Sequence, residues 1–370
     1  MRVLNVMSRF NVGGTSQWLY QLSKGLDEKK IENLLIIGDC PKGEREDLRL
    51  GELNSQRISG LGPKTSPLHT LRAFLALRKE IKLYNPDIVN THTSKAGFLG
   101  RVATKSLRSK AKVVHTYHGH VLHGYFNPFF ETIIRFMEIL LNRFTDLFLV
   151  SGEQVLRDLQ EAKIIRNKPA MTIWPAVPEI KVGNGIELRR SWGIPQEAVV
   201  FGWLGRKVPI KRLDRILGLA QERPNYTFVL AGDGTAAKDS FPEYFHNGEL
   251  VNVIERGFTS PSDLWAVADV CLLTSDNEAM PISPIEAALC GRPAIATDAG
   301  SAREVVLDGQ TGFISPKLQA NLLALVDQLG SSEALREKMG VAAYKFADLR
   351  FSPKSSIERQ IAGYKKALFD

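Results

Sequence analysis

The stretch DVCLLTSDNEAMPISPIEAALCGRPAIATD, residues 269–298, contains a complete strand–helix–strand pattern. Its first and last seven residues are apolar runs of the kind that form buried parallel strands. Between them, residues 284–290 have apolar side chains at helical spacing. Two parallel strands need a long crossover connection, which is usually a helix, so this stretch predicts a βαβ unit.

The same alternation continues in both directions along the 370-residue chain. Further apolar runs predict strands at 2–7, 33–38, 87–92, 112–117, 146–151, 199–205, 227–232 and 251–257. Helical spacing predicts helices at 16–27, 68–83, 95–107, 128–143, 211–221, 261–267, 317–329 and 332–346. This pattern predicts an α/β fold with doubly wound parallel sheets covered by helices on both faces.

The length and one Pro- and Gly-rich segment predict two domains. A chain of this size exceeds one ordinary core, and residues 174–187 show no periodicity, so we interpret them as a linker. The predicted boundaries are 1–180, 181–350 and a final segment, 351–370. Ligands of doubly wound sheets bind at the carboxyl ends of strands, which predicts a site in a cleft between the domains.

Composition restricts the compartment and the partners. Three cysteines without a CxxC pattern favour a reducing compartment, and no apolar run approaches the roughly 20 residues of a membrane span. We therefore expect a soluble cytoplasmic chain. Residues 1–180 carry a net charge of +9 and residues 181–370 carry −1, so the first half favours an anionic partner.

A basic stripe in the first half suggests which partner this is. Arg101, Lys105 and Arg108 repeat at helical spacing, which is typical either of a solvated helix face or of contact with an anionic membrane surface. Peripheral attachment to the inner membrane face is thus one expectation. Nucleic acid is not expected, because no reading module accompanies the stripe.

Two glutamates flank the proline-containing loop of the opening stretch. Pro281 and Pro284 prevent one helix from carrying both Glu278 and Glu286. Ser283, Pro284 and Glu286 fit an N-cap, a first helical position and a capping-box glutamate, so Glu286 caps the helix, holds a ligand, or does both. Glu278 has no capping role and follows a buried strand, which favours a hydrogen bond to sugar hydroxyls over a solvated loop acid.

Basic residues follow another strand, in GWLGRKVPIKRLD, residues 202–214. Arg206 and Lys211 suit a diphosphate, since Arg binds it as a fork and Lys as a point charge. Lys207 and Arg212 are expected to be solvated. No DxD pair occurs in the chain, so we expect no metal and no cofactor to be required.

Two further segments of the first half carry candidate residues. Gly13 and Gly14 separate the first strand from a helix that Thr15 or Ser16 would cap, and paired glycines allow a ligand close to the backbone. His118 directly follows the strand predicted at 112–117. For a histidine at that position, a hydrogen bond to a ligand is favoured over a zinc site. That zinc site would use residues of one histidine-rich segment: His115, His118, His120 and His123.

Taken together, these motifs resemble those of glycosyltransferase family 4, the retaining enzymes with the GT-B fold. The segment NEAMPISPIEAALCGRPAIATDAGSAREVVLDGQTGFI is similar to the family's E-x7-E signature, and LGRKVPIKRLD is similar to its diphosphate motif. The segments THTSKAGFLGR and VVHTYHGHVLHGYF resemble a subgroup associated with bacterial surface polysaccharides.

The resemblance implies two Rossmann-like domains and a role for each. The first would lie on the acceptor side, the second would bind a nucleotide-diphosphate sugar, and residues 351–370 would pack on the first. The acceptor would be lipid-linked or a polysaccharide, and subgroup resemblance favours a uridine over a guanosine donor. Ala279 and Ser301 stand where the family usually has glycine, which bears on the fit of the donor sugar.

The resemblance also implies residue roles. Glu278 and His118 would contact the donor sugar, Glu286 the ribose, and Arg206 with Lys211 the diphosphate. The remaining donor contacts would come from the two glycine segments and from the loop before the helix: Gly13, Gly14, Gly257, Met280, Pro281, Ile282 and Ser283.

Three rival functions remain open. Gly232, Gly234 and Ala237 fit a GxGxxA dinucleotide pattern, with Glu255 about 20 residues further on, which would suit an NAD-dependent oxidoreductase. The segment between them contains Pro242 and shows no long helix, which weakens this interpretation. A nucleotide-sugar epimerase on the same fold and a non-catalytic sugar-nucleotide binding protein are the other two.

Overall fold

The computed structural model of the protein describes residues 1–63, 65–119, 128–245 and 250–369. It has thirteen named strands: β1 Arg2–Met7, β2 Glu32–Ile37, β3 Ser55–Arg57, β4 Ile88–His92, β5 Lys112–Tyr117, β6 Leu147–Val150, β7 Ala170–Thr172, β8 Val200–Leu204, β9 Thr227–Ala231, β10 Val253–Arg256, β11 Val270–Leu273, β12 Ala294–Thr297 and β13 Gly312–Ser315.

The α-helices within those ranges are α1 Gly14–Glu28, α2 Pro67–Tyr84, α3 Ser94–Ser106, α4 Pro128–Leu141, α5 Glu153–Glu161, α6 Gly185–Trp192, α7 Leu213–Glu222, α8 Ala237–Ser240, α9 Pro261–Val267, α10 Ile282–Leu289, α11 Ala302–Val305, α12 Gln319–Gly330, α13 Glu333–Phe351 and α14 Pro353–Phe369. Short 3₁₀ helices lie at Leu48–Glu52, Asn142–Phe144, Pro209–Lys211 and Pro242–Tyr244.

Two compact units make up the chain. Unit 1 contains residues 1–178 and 353–370, and unit 2 contains residues 179–352. Each has one parallel sheet, and the predicted α/β fold class with two Rossmann-like sheets is confirmed. None of the described helices is both long enough and apolar enough to cross a membrane.

The sheet of unit 1 has the strand order β3-β2-β1-β4-β5-β6-β7. The chain builds outward from β1 to β3 and then returns to the other side of β1 with β4. Every residue from Val3 to Met7 in β1 is buried, as a central strand with helices on both faces requires. The reversal of direction lies between β1 and β4, and this is where doubly wound sheets place ligands.

Unit 2 repeats this arrangement with the strand order β10-β9-β8-β11-β12-β13. The reversal here lies between β8 and β11, which pair in parallel through Val270 opposite Phe201. Trp203 and Trp265 are almost fully buried in this unit and are among its largest core side chains. The carboxyl ends of β8 and β11 therefore lie next to each other.

The final helix belongs to unit 1. Helix α14 packs against α1, β5 and β6. Tyr364 of α14 is fully buried, and its hydroxyl accepts a hydrogen bond from Asn90 Nδ2 at 2.9 Å. The predicted return of the C-terminal helix to the first domain is thus part of the observed fold.

Several elements were not predicted from the sequence. Strands β3 and β7 have three residues each, too few to show a period, and β13 has only four. Helix α6 begins at Gly185, inside the predicted linker, because Asn184 caps it by accepting a hydrogen bond from the Glu187 amide. Helix α5 was also missed.

Candidate functional site

The neighbouring carboxyl ends of β8 and β11 bring the predicted motifs of unit 2 together. Arg206 and Lys211 follow β8, while Glu278 follows β11. The amide of Asp276 donates to the Ile210 carbonyl at 2.9 Å, and Thr274 Oγ1 donates to the Lys211 carbonyl at 3.0 Å. These bonds hold the two loops in fixed register.

Lys211 and Glu278 form an ion pair. Lys211 Nζ lies 2.5 Å from Glu278 Oε1, which also accepts a hydrogen bond from Ser275 Oγ at 2.6 Å. The side chain of Glu278 is 10% exposed and that of Lys211 is 24% exposed, so one edge of the pair faces solvent. The expectation that Glu278 is free for a ligand was wrong for Oε1, which already has two partners.

Two other cations after β8, Lys207 and Arg212, were expected to be solvated. Lys207 is not solvated: its side chain is 7% exposed and its Nζ pairs with Glu255 Oε2 at 2.5 Å. The side chain of Arg212 is 34% exposed, but it pairs with Asp214 and Asp276, so this cation is only partly solvated and its charge is compensated. Arg206 is exposed, and its guanidinium has no hydrogen bond or ion pair with any residue that the structure describes. The guanidinium of Arg206 is therefore available to an anion.

The helix after β11 begins earlier than predicted. Helix α10 begins at Ile282 with Pro281 as N-cap, and no side chain caps it. Ser283 is therefore not the N-cap, and Glu286 does not form a capping box, because it lies in the middle of the helix. The first-turn amides of Ile282 and Ser283 precede any intrahelical partner, which suits an anionic ligand. Met280, just before the cap, is partly exposed.

Glu286 is unusual because it lacks partners. Its carboxyl forms no hydrogen bond or ion pair with the residues of the described ranges. Desolvation by the surrounding protein raises the pKa of Glu286 to about 8. A carboxyl group that stays protonated near neutral pH and lacks a protein partner can hydrogen-bond a ligand hydroxyl.

The glycines of the dinucleotide-like segment have a packing role. A Cβ on Gly232, whose φ is +130°, would lie 1.9 Å from the Gly205 carbonyl oxygen, and one on Gly234 would lie 2.6 Å from Lys207 Cβ. The glycines thus let this loop approach the loop after β8. Helix α8, which follows, has only four residues, and Glu255 is occupied by Lys207 and the Ala237 amide. These contacts disfavour a dinucleotide site.

Gly257 lies at the carboxyl end of β10. Its carbonyl accepts hydrogen bonds from the Gly232 amide at 3.0 Å and from Thr259 Oγ1 at 3.1 Å. A Cβ on Gly257 would meet no atom within 4 Å, so the space beside it is open.

In unit 1, Gly13 and Gly14 form the start of α1. Gly13 is the N-cap, and no side chain caps the helix, so the expected cap by Thr15 or Ser16 was wrong. Ser16 is buried and its hydroxyl has no partner among the described residues. A Cβ on Gly13 would meet nothing within 4 Å, which leaves the backbone accessible at this end of β1.

His118 lies at the carboxyl end of β5, between two rings. Its Nε2 lies 2.9 Å from His92 Nδ1, and its ring meets Trp18 edge-to-face with centroids 4.7 Å apart. Its Nδ1 is buried and has no partner among the described residues. Burial lowers the pKa of His118 to about 3, so the ring is neutral and offers one nitrogen to a further group.

A chain of buried polar groups supports this ring. His92 Nε2 lies 3.2 Å from Asn5 Oδ1 and 3.0 Å from Asn90 Nδ2. Asn90 in turn donates to Tyr364 at 2.9 Å, and Gln360 Nε2 donates to the same hydroxyl at 3.0 Å. The orientation of His118 is therefore coupled through β4 to the C-terminal helix.

A cavity of about 220 Å³ lies beside His118 within unit 1. Its polar lining includes the Tyr117 hydroxyl and Glu138, which are joined by a hydrogen bond of 2.8 Å, and its apolar lining includes Ile134, Leu159 and Ile164. The cavity is large enough for several water molecules or one small group.

The described residues do not form the conceivable zinc site. His115 bonds to Thr91 Oγ1 through its Nδ1 at 2.8 Å. No three His, Cys, Asp or Glu side chains within the described ranges are arranged to hold a metal ion. His120 and His123 lie outside the described residues.

The basic stripe of α3 was wrongly interpreted as a surface feature. Arg101 is fully buried, and its Nη2 pairs with Glu138 Oε2 at 2.7 Å. Lys105 pairs with Asp146 at 2.9 Å. Of the three cations, Arg108 is exposed and lies beyond the end of the helix. The spacing was helical, but the face it defined points partly into the core.

Sequence reasoning missed His92, Ser275 and the Lys207–Glu255 pair. His92 is the last residue of β4, and Ser275 lies two residues after β11; both strands are buried and lie beside a reversal point. That position is a signal that the sequence contains. The pairing of Lys207 with a residue 48 positions away has no signal in the sequence.

Comparison with known proteins identifies the family. The family model described as "Glycosyltransferase Family 4" matches residues 12–179, and the model described as "Glycosyl transferases group 1" matches residues 185–346. The chain belongs to glycosyltransferase family 4. The resemblance inferred from the motifs is confirmed: the protein is a glycosyltransferase, and its fold is GT-B.

Among curated relatives, this glycosyltransferase is 28% identical over 306 residues to the putative glycosyltransferase EpsD of Bacillus subtilis, covering 78% of each chain. It is 24% identical over 265 residues to a UDP-Gal:alpha-D-GlcNAc-diphosphoundecaprenol alpha-1,3-galactosyltransferase of Escherichia coli, covering 67% of each. Its fold is similar to that of Anabaena HepE, whose structure in complex with UDP-glucose has a TM-score of 0.83 at 20% identity and full coverage of both chains.

Proposed function

We propose that this glycosyltransferase moves a sugar from a nucleotide-diphosphate sugar to a lipid-linked or polysaccharide acceptor. The donor is a UDP-sugar in preference to a GDP-sugar. The transfer retains the anomeric configuration and requires no metal ion.

The observation that carries the proposal is the arrangement at the carboxyl ends of β8 and β11. Arg206 is exposed and unpaired among the described residues, and Lys211 is held by Glu278. The first turn of α10 adds free amides in the same region of unit 2. Two cations and a helix N-terminus can offset the charge that develops on a departing diphosphate.

The remaining roles follow from the groups that lack protein partners. The Glu286 carboxyl, which has no partner in the described ranges, would hydrogen-bond the ribose hydroxyls. Glu278 would accept a hydrogen bond from a hydroxyl of the donor sugar through Oε2, since Oε1 already has two partners. His118 would use its unpartnered Nδ1 toward the donor sugar.

The relatives support the choice of donor and acceptor. The Escherichia coli relative is named as using UDP-Gal, and the HepE structures are complexes with UDP and UDP-glucose. The acceptor in the Escherichia coli relative's name is a diphosphoundecaprenol-linked sugar, and a Klebsiella pneumoniae relative, 25% identical over 342 residues, comes from a cps region. A uridine donor and a lipid-linked or polymeric acceptor are consistent with these names.

Calorimetric titration with UDP, GDP and NAD in EDTA tests the donor site. We expect UDP to bind without metal. Arg206→Ala should weaken UDP binding by about tenfold or more, since hydrogen bonds to charged groups contribute about 1.5–3 kcal/mol. The matched control is Arg190→Ala on α6, which removes an exposed arginine elsewhere in unit 2. Binding of NAD but not of UDP or GDP would reject the proposal in favour of an oxidoreductase.

Product analysis tests the stereochemistry. Transfer from an α-linked UDP-sugar should give an α-linked product by NMR, and it should proceed in EDTA at the rate seen with added magnesium. A β-linked product would refute retention, and loss of turnover in EDTA would refute metal independence.

A further inference from the structure

Helix α2 of unit 1 has an apolar row on its outer side. Leu68, Leu71 and Leu75 are each more than half exposed, at 56%, 54% and 55%. Their spacing of three and four residues places them on one face of the helix. The opposite face, with Ala73, Leu77 and Ile81, is buried in the core of unit 1. The helix therefore has a second apolar face that the fold of unit 1 does not cover.

Positive charge is interleaved with these leucines. At about 100° per residue, Arg72, Lys79 and Lys82 fall in the same arc of about 120° as Leu68, Leu71 and Leu75. All three cations are exposed, and none forms an ion pair with a residue in the described part of the chain. The acidic residue of α2, Glu80, lies outside that arc. The face is thus apolar and cationic, without a compensating acid.

A neighbouring helix repeats the apolar part of the pattern. On α4, the exposed side chains Ile133, Phe136, Met137 and Leu140 follow the i, i+3, i+4, i+7 spacing of a single face. Helix α3 packs against both α2 and α4, and the three helices connect consecutive strands from β3 to β6. They therefore form one helical layer of unit 1, with apolar rows on both outer members.

We infer that the α2 face is a docking surface for an anionic lipid bilayer. Leucines interleaved with Lys and Arg suit the interfacial region, where the apolar side chains enter the acyl boundary and the cations remain among lipid phosphates. A protein partner would have to supply acidic side chains among apolar ones, whereas an anionic bilayer presents both groups at any point. The role of the surface rests on the proposed function, since a lipid-linked acceptor lies in a bilayer.

This surface differs from the basic stripe predicted on α3. Arg101 and Lys105 are held in ion pairs within unit 1, whereas the α2 cations are unpaired among the described residues. The net charge of +9 over residues 1–180 is consistent with attraction of this unit to an anionic surface.

Vesicle co-sedimentation of the full chain tests the inference. The vesicles contain phosphatidylcholine alone or with one third phosphatidylglycerol, at low and high salt. We expect binding to the anionic vesicles and weaker binding at high salt. Leu71→Gln with Leu75→Gln should weaken it by about tenfold or more, because it removes apolar side chains from the acyl boundary. Lys79→Gln with Lys82→Gln should weaken it by about tenfold or more, because it removes cations from the lipid phosphates.

Matched double variants in unit 2 serve as controls: Leu318→Gln with Leu349→Gln, and Lys338→Gln with Lys345→Gln. These side chains are also exposed on helices or beside them. They should leave vesicle binding unchanged.

The inference is overturned if the wild-type protein does not bind anionic vesicles, or if the α2 and control variants bind equally. Light scattering provides a second test: a wild-type dimer that the leucine variant converts to a monomer would assign the face to a second copy of the chain. UDP titration of the same preparations separates the proposals, because loss of vesicle binding with intact UDP binding concerns α2 alone.

Discussion

His92 Nδ1 and His118 Nε2 are joined by a 2.9 Å hydrogen bond between the carboxyl ends of β4 and β5. Both imidazoles have lowered pKa values because of burial. One of them must donate and the other accept, so the bond fixes which nitrogen of His118 carries its proton. His92 thus determines what His118 can offer to a ligand at Nδ1.

Replacing His92 should lower the transfer rate without lowering nucleotide affinity. In His92→Phe the ring volume remains but His118 loses its partner, so a misplaced or wrongly protonated ring should reduce kcat by about 10- to 100-fold. Calorimetry should give a UDP Kd within about twofold of wild type. His69→Phe, at an exposed position on α2, is the control. A wild-type kcat in His92→Phe would contradict a positioning role.

Unit 1 should lose stability in acid. The pKa values of His92, His115 and His118 are all lowered by burial, so these groups are neutral when folded and bind protons when unfolded. Above the unfolded pKa of about 6.5, these histidines do not lower the free energy of unfolding. As the pH decreases from there toward 3, the free energy of unfolding falls by up to about 1.4 kcal/mol per pH unit for each histidine.

Hydrogen exchange of β4 and β5 peptides between pH 7 and pH 5, corrected for intrinsic exchange rates, measures this loss. His115→Gln should reduce the pH dependence, whereas His69→Gln should not. Equal protection at pH 7 and pH 5 would show that these histidines do not titrate on unfolding.

Two lysines four residues apart in sequence should behave in opposite ways. Lys211→Ala should weaken UDP binding and abolish transfer but leave the fold intact, because its pair with Glu278 is partly open to solvent. Lys207→Ala should instead destabilise unit 2 by about 1–3 kcal/mol, since it leaves the partly buried carboxylate of Glu255 without its cation. Chemical denaturation and UDP calorimetry on both variants give the comparison. Wild-type turnover in Lys211→Ala or in Glu278→Ala would reject those assignments.

UDP affinity should depend on the protonation of Glu286. Its pKa is raised to about 8 by desolvation, and a carboxylate that accepts both ribose hydroxyls must first lose that proton. The UDP Kd should therefore fall by about tenfold between pH 7 and pH 9 and then level off.

Calorimetry in buffers of different ionisation enthalpy should detect the released proton. Glu286→Gln should remove the pH dependence, and Glu243→Gln, at an exposed position, should retain it. Affinity that is constant over this range in the wild type would exclude an ionised Glu286 from the ribose site.

Helices and strands whose apolar residues show a clear periodicity were predictable from the sequence, and those without such a periodicity were not. Helix α2 was predicted at 68–83 and extends over Pro67–Tyr84, because leucines at helical spacing and the Ser66 cap are local features. Strands β3 and β7 have three residues each and owe their conformation to pairing with β2 and β6. The start of α10 was misplaced by two residues, because Ser283 fits the cap pattern although Pro281 occupies the cap position.

The sequence by itself determined the family, the two-sheet architecture and the loops that carry the site. These follow from local periodicity and from which residues directly follow each buried strand. Tertiary structure decided which charges are available. Arg101 looked exposed but is buried against Glu138, and Lys207 looked solvated but is paired with Glu255. The physical reason is that burial and ion pairing depend on partners 37 and 48 residues away, which local sequence does not specify.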